Sequence, residues 1–583
     1  MNKRQTTRAI IYASILAGGI FSCAISALAA NVLPGAASPG TVRQSLSKQN
    51  PNSPPAASQL QSPTVPQPQQ AAASAAAQKV TFKLEQIKLI GNHIYSTEEL
   101  SAIYKDKLHK VISVADLFQI EEDITAFYRN NGYILSRAIL PPQQLHNGIV
   151  TIQIIEGYID KITISGNPQG AKPIVESFGN QIMKDRPVQL SHLEKYLMLL
   201  NEIPATTVKG VFSPSTSNVG AATFDLDTDH SLVTGYVSYD NYGTAYIGPQ
   251  QMTGNINLNS LFISGDTTQF TLIKTPQESE LTYAALNYGV PIDSEGNNIQ
   301  IGGNSDKTRP QFVLEPEEIV GISSLYYLGL QHPMIRTPTQ SLTVHSTFNY
   351  ESSNTTILGA QLYTDEMRTI ELGAVYTISD SWRGSNNITA NFEQGLPILG
   401  YSSDTNPATA QTSNPGGTAV FTKVDFQMSR LQQVKGPFSV LALVSGQWSL
   451  DPLLATEQYS YGGPIQGRGY ETGELVGDSG LAGTAELHYD LSVNKFFISG
   501  VQFYTFYDIG MIENHVVTPN TIKSQSASST GGGARFALSK YITGNIVWAQ
   551  PLTRRVAAEV LADGGTGNGY APTVLFSLVA TMD

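Results

Sequence analysis

Two periodicities divide the chain. From about residue 232 onward, short segments alternate apolar and polar side chains with the two-residue period of a β-strand, and turn residues separate them. In "GTAELHYDL" (483–491), Thr484, Glu486, His488 and Asp490 share one face, and Ala485, Leu487, Tyr489 and Leu491 share the other. In "VQFYTFYDIG" (501–510), Val501, Phe503, Tyr507 and Ile509 lie opposite Gln502, Tyr504, Phe506 and Asp508. From 79 to about 230 the pattern is α+β and occurs twice. "IKLIGN" (87–92) returns as "ITISGN" (162–167), each followed by two helical patterns and two short strands. Leu117, Ile120, Ile124 and Phe127 fall on one helical face, as do Leu193, Leu197 and Leu200. Ser96 with Glu99, Ser113 with Asp116, and Ser191 with Glu194 each set a hydroxyl three residues before a carboxylate, which predicts three capped helix starts. Val150, Ile152 and Ile154 close one repeat as a strand, and Phe224 and Leu226 the other. Two tandem βααββ units, 79–157 and 158–230, are the simplest reading.

Composition decides what the alternating region is. Of 583 residues, 14% are charged, well below the roughly 25% of soluble proteins. Hydrophobic residues make up 41%, the balance expected where lipid-facing and water-facing side chains alternate. The alternating region, 231–583, is too long for one soluble sandwich. At about 22 residues per strand and connection it holds roughly 16 strands, a usual size for an outer-membrane barrel. Past the first 30 residues no run of 18 apolar residues occurs, so entry into a membrane requires a closed barrel. The net charge of −12 and the lack of a Lys/Arg cluster exclude a nucleic-acid binder.

Residues 1–30 begin with Lys3, Arg4 and Arg8, continue through an apolar stretch and end in small residues, the pattern of a secretory signal peptide cleaved before Ala30 or Asn31. An uncleaved anchor helix is the other reading of that apolar run. Cys23, the only cysteine, lies within it, so no disulfide or thiolate metal site is expected beyond the leader. Residues 31–78 are rich in Pro, Gln, Ala and Ser and read as a flexible tether, with a short helix allowed by the alanines of 69–79.

Enzyme signatures are weak. "GDSG" (477–480) imitates a serine-protease nucleophile segment, but Ser479 would need an oriented histidine base. No HExxH and no GxxxxGK[ST] is present, so neither a zinc site nor nucleotide hydrolysis is expected, and no catalytic residue, metal or cofactor is assigned. His488, between Glu486 and Asp490, reads as a hydrogen-bonded structural residue.

Several segments together resemble the outer-membrane transporters of two-partner secretion, the hemolysin-activator type. They are "YVSYDNYGTAYIGPQ" (236–250), "LNSLFISGD" (258–266), "LNYGVPI" (286–292) and above all "WSLDPLLATEQYSYGGPIQGRGY" (448–470). The resemblance implies an all-β, 16-stranded antiparallel transmembrane barrel (231–583) preceded by two periplasmic POTRA domains of the βααββ kind. It also implies a plug helix somewhere in 31–78, although no periodicity marks one there. A long loop after the eleventh strand, around 460–480, would fold into the lumen with its Arg-Gly-Tyr motif. On that basis Gly467, Arg468, Gly469 and Tyr470 form the candidate gating motif, with Asp508, Gly510 and Glu486 as wall partners of the arginine. Glycines would allow tight turns, and the guanidinium would pair bidentately with a carboxylate.

Two departures stand out. Gly467 occupies a position where the family usually has a β-former, which predicts a more pliable loop tip. Phe576 is internal and Asp583 terminal, unlike the aromatic terminus common in such barrels. The implied function is secretion of a large exoprotein, bound by the POTRA domains, across the outer membrane without ATP. The implied setting is a lipid-embedded monomer inserted by the barrel-assembly machinery. The rival readings are a barrel-assembly insertase of the same superfamily and a passive porin or adhesin.

Overall fold

The computed structural model describes residues 33–48, 77–144, 147–218, 220–276, 280–403, 411–414, 416–493, 498, 500–517, 522–562 and 568–582. The expected leader and most of the expected tether lie outside the described residues.

A helix, α1 (Pro39–Lys48), comes first. The α+β repeats follow. The first contains β1 (Thr81–Lys83), β2 (Gln86–Ile90), α2 (Thr97–Ser101), β3 (Val111–Ser113), α3 (Val114–Asn130), β4 (Arg137–Ile139) and β5 (Ile149–Ile155). The second contains β6 (Tyr158–Asn167), α4 (Lys172–Ile182), α5 (Leu190–Asn201), β7 (Thr206–Pro214) and β8 (Ala221–His230). Both build the same three-stranded sheet, in which the first strand runs parallel to the last and the middle strand pairs antiparallel on its other side, giving orders β2-β5-β4 and β6-β8-β7. Only the first repeat adds the small β1-β3 ladder.

Each repeat has its own core. Leu117, Ile120 and Ile124 of α3 pack on Val150, Ile152 and Ile154 of β5. Leu193, Leu197 and Leu200 of α5 pack with Phe178, Phe224 and Leu226. Each fully buried Leu or Ile contributes about 2 kcal/mol. The capping boxes at Ser96 and Ser113 are complete, the serine hydroxyl accepting from the third amide and the carboxylate accepting from the serine amide. The third expected cap is corrected: α5 begins two residues earlier than a Ser191 cap implies, so Ser191 is an exposed residue inside the helix and Gln189 holds the cap position without a side-chain bond.

The barrel strands are β9 (Val233–Asp240), β10 (Gln251–Asn259), β11 (Thr267–Lys274), β12 (Leu281–Pro291), β13 (Asn298–Thr308) and β14 (Val320–Thr337). Next come β15 (Gln340–Ile357), β16 (Ala360–Ser379), β17 (Gly384–Gly395), β18 (Thr422–Lys435) and β19 (Phe438–Ser449). After the eleventh barrel strand a long loop carries its own hairpin, β20 (Tyr459–Tyr461) with β21 (Leu475–Gly477). The barrel ends with β22 (Ser479–Leu491), β23 (Gly500–Glu513), β24 (Ser524–Ala537), β25 (Ile542–Pro551) and β26 (Thr573–Met582). These sixteen strands form a closed barrel of antiparallel neighbours, sealed where β26 pairs with β9. Phe576 lies in β26 against the ring of Tyr239 on β9, and Asn241 bonds the Phe576 backbone from the same side of that seam.

The second repeat docks on the barrel's periplasmic turns. Arg336 at the end of β14 holds Glu202 through two nitrogens, and Lys195 and Tyr196 of α5 both reach Glu295 between β12 and β13 (2.8 and 2.7 Å).

The first repeat yields a pH-dependent prediction. The Lys107 ammonium, then the Ser113 amide and hydroxyl, pull Asp116 down to about 2. Its folded value lies below the unfolded one of about 3.9, so its stabilisation is present above pH 4 and disappears as pH falls towards 2. Asp116→Asn should flatten that dependence. Ser113→Ala should cost about 1 kcal/mol, whereas Ser191→Ala should leave α5 unchanged, both read by hydrogen-exchange mass spectrometry on the intact protein.

Candidate functional site

The strand pattern already decides what the lumen wall looks like. On β22 the inward residues Thr484, Glu486 and His488 are buried while Leu487 and Tyr489 are exposed outward. On β23 Tyr504, Phe506 and Asp508 face in while Phe503, Tyr507 and Ile509 face out. The loop between β19 and β22 enters this polar interior and binds it.

Arg468 is the centre. Its Nε donates to Asp508 Oδ2 at 3.0 Å and its Nη2 to Asp508 Oδ1 at 2.8 Å, a bidentate pair. Nη1 donates to Glu486, and the guanidinium carbon lies 3.5 Å from the centroid of the Phe506 ring. Asp508 also accepts the backbone amides of Gly467 and Arg468 (3.1 and 3.0 Å) and the Thr484 hydroxyl (3.0 Å). One fully buried carboxylate therefore fixes both the side chain and the backbone of the loop tip. Glu486 is shared: Arg535 Nη2 donates to it at 2.9 Å, and His488 Nε2 lies 2.7 Å from it. Two guanidiniums face two carboxylates, Arg468 buried between both and Arg535 reaching Glu486 from a more exposed position.

The flanking residues have distinct parts. Gly467 is buried with φ +79°, and a Cβ there would sit 2.8 Å from the Tyr461 ring. That replaces the expectation of a pliable tip: a β-former cannot readily take this left-handed turn, and the glycine amide is bonded to Asp508. Gly469 lies against the wall, where a Cβ would meet Ser529 and Pro551. The Tyr470 hydroxyl donates to the Ser528 carbonyl (3.0 Å) and receives the Arg554 amide (3.2 Å). Gly510 serves Tyr461 rather than the arginine, since a Cβ there would lie 2.3 Å from that ring. Ser479 accepts the Ser449 amide (3.1 Å), in a turn organised by the adjacent Asp478, whose carboxylate receives the amides of Leu453 and His515.

Two further anchors are an ion pair absent from the expected site residues and a helix, α1, that falls in the range 31–78 where a plug helix was expected. Upstream in the loop, Glu457 pairs with Lys423 of β18, which also meets Glu393 of β17 at 3.1 Å. Helix α1 occupies the lumen against β13, β14 and β15. Its Arg43 donates Nε to Ser323 (3.0 Å) and pairs with buried Glu351, while Val42 and Leu46 pack on Ile247, Ile273, Leu281 and Tyr283. The signal for α1 was present in Ser38-Pro39, a favoured cap and first helical residue, with Val42 and Leu46 four apart. Arg535 was also readable, on the inward side of β24 opposite Gln502.

A closed sixteen-strand barrel whose lumen holds a helix and a long inward loop, carried on two POTRA units, defines an outer-membrane protein transporter. The chain belongs to the haemolysin secretion/activation protein family ShlB/FhaC/HecB, whose sequence model matches residues 226–536. The ShlB-type POTRA domain model matches 82–157. The chain is 25% identical to the heme/hemopexin transporter protein HuxB of Haemophilus influenzae strain 86-028NP, over 82% of this chain and 85% of that one. It is 24% identical to the hemolysin transporter protein ShlB of Serratia marcescens, over 68% of this chain and 70% of that one. The solved structure of CdiB from Escherichia coli has the same fold, with a TM-score of 0.70 at 19% identity, covering 93% of this chain and 98% of that chain. The protein is thus an outer-membrane transporter of two-partner secretion, and the family match sets it with secretion proteins rather than assembly insertases.

The donor count ranks the wall carboxylates. Asp508→Asn places an amide where three N–H groups of the loop tip converge and breaks a buried pair, at a cost of about 3–5 kcal/mol. Glu486→Gln leaves the bidentate Arg468–Asp508 pair intact. Planar-bilayer recordings should therefore show a larger rise in open conductance for Asp508→Asn than for Glu486→Gln.

Proposed function

We propose that this transporter moves one large, unfolded partner exoprotein from the periplasm to the cell surface, with the POTRA units as its receptor and two lumen elements as its gates. The observation that carries the reading is the Arg468–Asp508 pair. It ties the loop to the wall through charge and hydrogen bonds, which can be exchanged for others without dismantling the barrel. Helix α1 is the second gate, held at its polar face by Arg43 and leading directly into the tether. Passage draws its free energy from folding of the cargo outside the cell, so no nucleotide is needed.

The edge strands of the POTRA sheets, β2 and β7 among them, offer unpaired backbone groups to which an extended segment of the exoprotein adds as a strand. One chain closes the barrel and supplies both gates, which supports a monomer as the working unit. The relatives' names span heme/hemopexin and hemolysin transport, so the cargo is a secreted exoprotein of a class those names leave open.

Comparison of the surface and medium proteomes of the source cells with and without the gene tests the reading. Loss of one large exoprotein, with its precursor held in the periplasm, is the expected result. General loss of barrel proteins would point to an insertase, and an unchanged proteome to a porin. Arg468→Ala should sharply reduce secretion while leaving a heat-modifiable, membrane-inserted barrel, and normal secretion by that variant would overturn the gating role.

A further inference from the structure

The periplasmic turn between β10 and β11 is built unlike a solvent-facing turn. It exposes three consecutive large apolar side chains, Leu261 at 51%, Phe262 at 73% and Ile263 at 53%. They are held rigidly. The buried carboxylate of Asp266 accepts the amides of all three residues, at 2.8, 3.0 and 2.7 Å, and the Tyr288 hydroxyl at 2.9 Å. With these three amides bonded from inside, the backbone of 261–263 is fixed with its side chains turned outward.

Their direction follows from Tyr288. The Phe262 ring packs edge-on against it, centroids 6.0 Å apart. Tyr288 shares the outward face of β12 with Ala284 and Leu286, both exposed to the surroundings of the barrel. Val233 at the base of β9 and Ile292 after β12 extend the same apolar rim. The patch is therefore continuous with the lipid-facing band and lies at its periplasmic border, where aromatic and aliphatic side chains sit among headgroups and upper acyl chains. The other side of the turn faces the second POTRA unit. Ser264 Oγ donates to the Gly170 carbonyl (2.8 Å) and accepts the Ile174 amide (3.1 Å).

We propose that the turn 260–266 is a membrane anchor: Leu261, Phe262 and Ile263 insert into the periplasmic leaflet of the outer membrane, and Ser264 fixes the second POTRA unit against the bilayer surface through the same turn. The anchor sets the height and tilt of that unit relative to the lumen entrance.

The test uses the full chain in a Cys23→Ser background, reconstituted into phosphatidylethanolamine/phosphatidylglycerol vesicles containing a doxyl-labelled lipid. Phe262→Cys carries an environment-sensitive fluorophore, and Val211→Cys, exposed on β7 of the second POTRA unit, is the aqueous reference. The label at 262 should be quenched several-fold more by the doxyl lipid than the label at 211, and several-fold less by iodide. Equal iodide quenching at the two positions, or protection at 262 that arises only when the exoprotein is added, overturns the proposal. Leu261→Cys and Ile263→Cys repeat the measurement if the label at 262 perturbs the barrel. Ser264→Ala should raise hydrogen exchange across 168–176 with lipid quenching at 262 unchanged, and unaltered exchange there refutes the coupling to the POTRA unit.

Discussion

A buried carboxylate that gathers its donors from a distant loop is the constraint on which this structure turns. Sixteen strands enclose more space than their own inward side chains fill. Left alone, the barrel would be an aqueous hole in the outer membrane. Asp508 prevents that by drawing in the tip of the β19–β22 loop with two guanidinium bonds, two backbone amides and the support of Thr484. The wall must be polar because a passing chain needs a wet path. The loop that blocks it must then be held by polar chemistry too.

That choice has an energetic meaning. A buried ion pair roughly breaks even against a well-packed apolar substitute, yet is costly when only one partner is removed. The Arg468 cluster, the Lys423–Glu457 pair and the Arg43–Glu351 pair are therefore better at specifying where the loop and helix sit than at making the barrel stable. Stability comes from the strand ladder and the two POTRA cores, which contain few charges.

Much of this was legible in the sequence, and the reasons for the rest are specific. A two-residue period reports directly which side chains face in, so the faces of β22 and β23 could be read position by position. The α3 and α5 cores follow in the same way from a 3.6-residue period. Arg468 was singled out through its glycine-rich motif and the family resemblance, not through periodicity. Loop-to-wall partners carry no period at all: Arg43 and Glu351 are 308 positions apart, and nothing local in either segment names the other. Ser191 misled because serine followed by glutamate at the third position is only a statement about spacing. α5 starts two residues earlier than that cap implies, with its core face set by Leu193, Leu197 and Leu200. Gly467 misled in the opposite sense, because glycine signals freedom in an isolated chain and a fixed left-handed turn in a packed one.

The helix and the loop in the lumen also constrain each other. A Cβ added at Gly40 would lie 1.7 Å from Thr456 Cγ2, and one at Gly35 2.2 Å from Val476 Cγ2, so α1 and the segment before it touch the loop near both of its ends. These are contacts of closest approach, made where the helix segment carries no side chain. Hydrogen bonds tie each element to the wall, Arg43 to β14 and β15 and Arg468 to β22 and β23, and the loop's Glu457 adds its negative charge to that of Glu351 around Arg43, so the two elements also meet electrostatically.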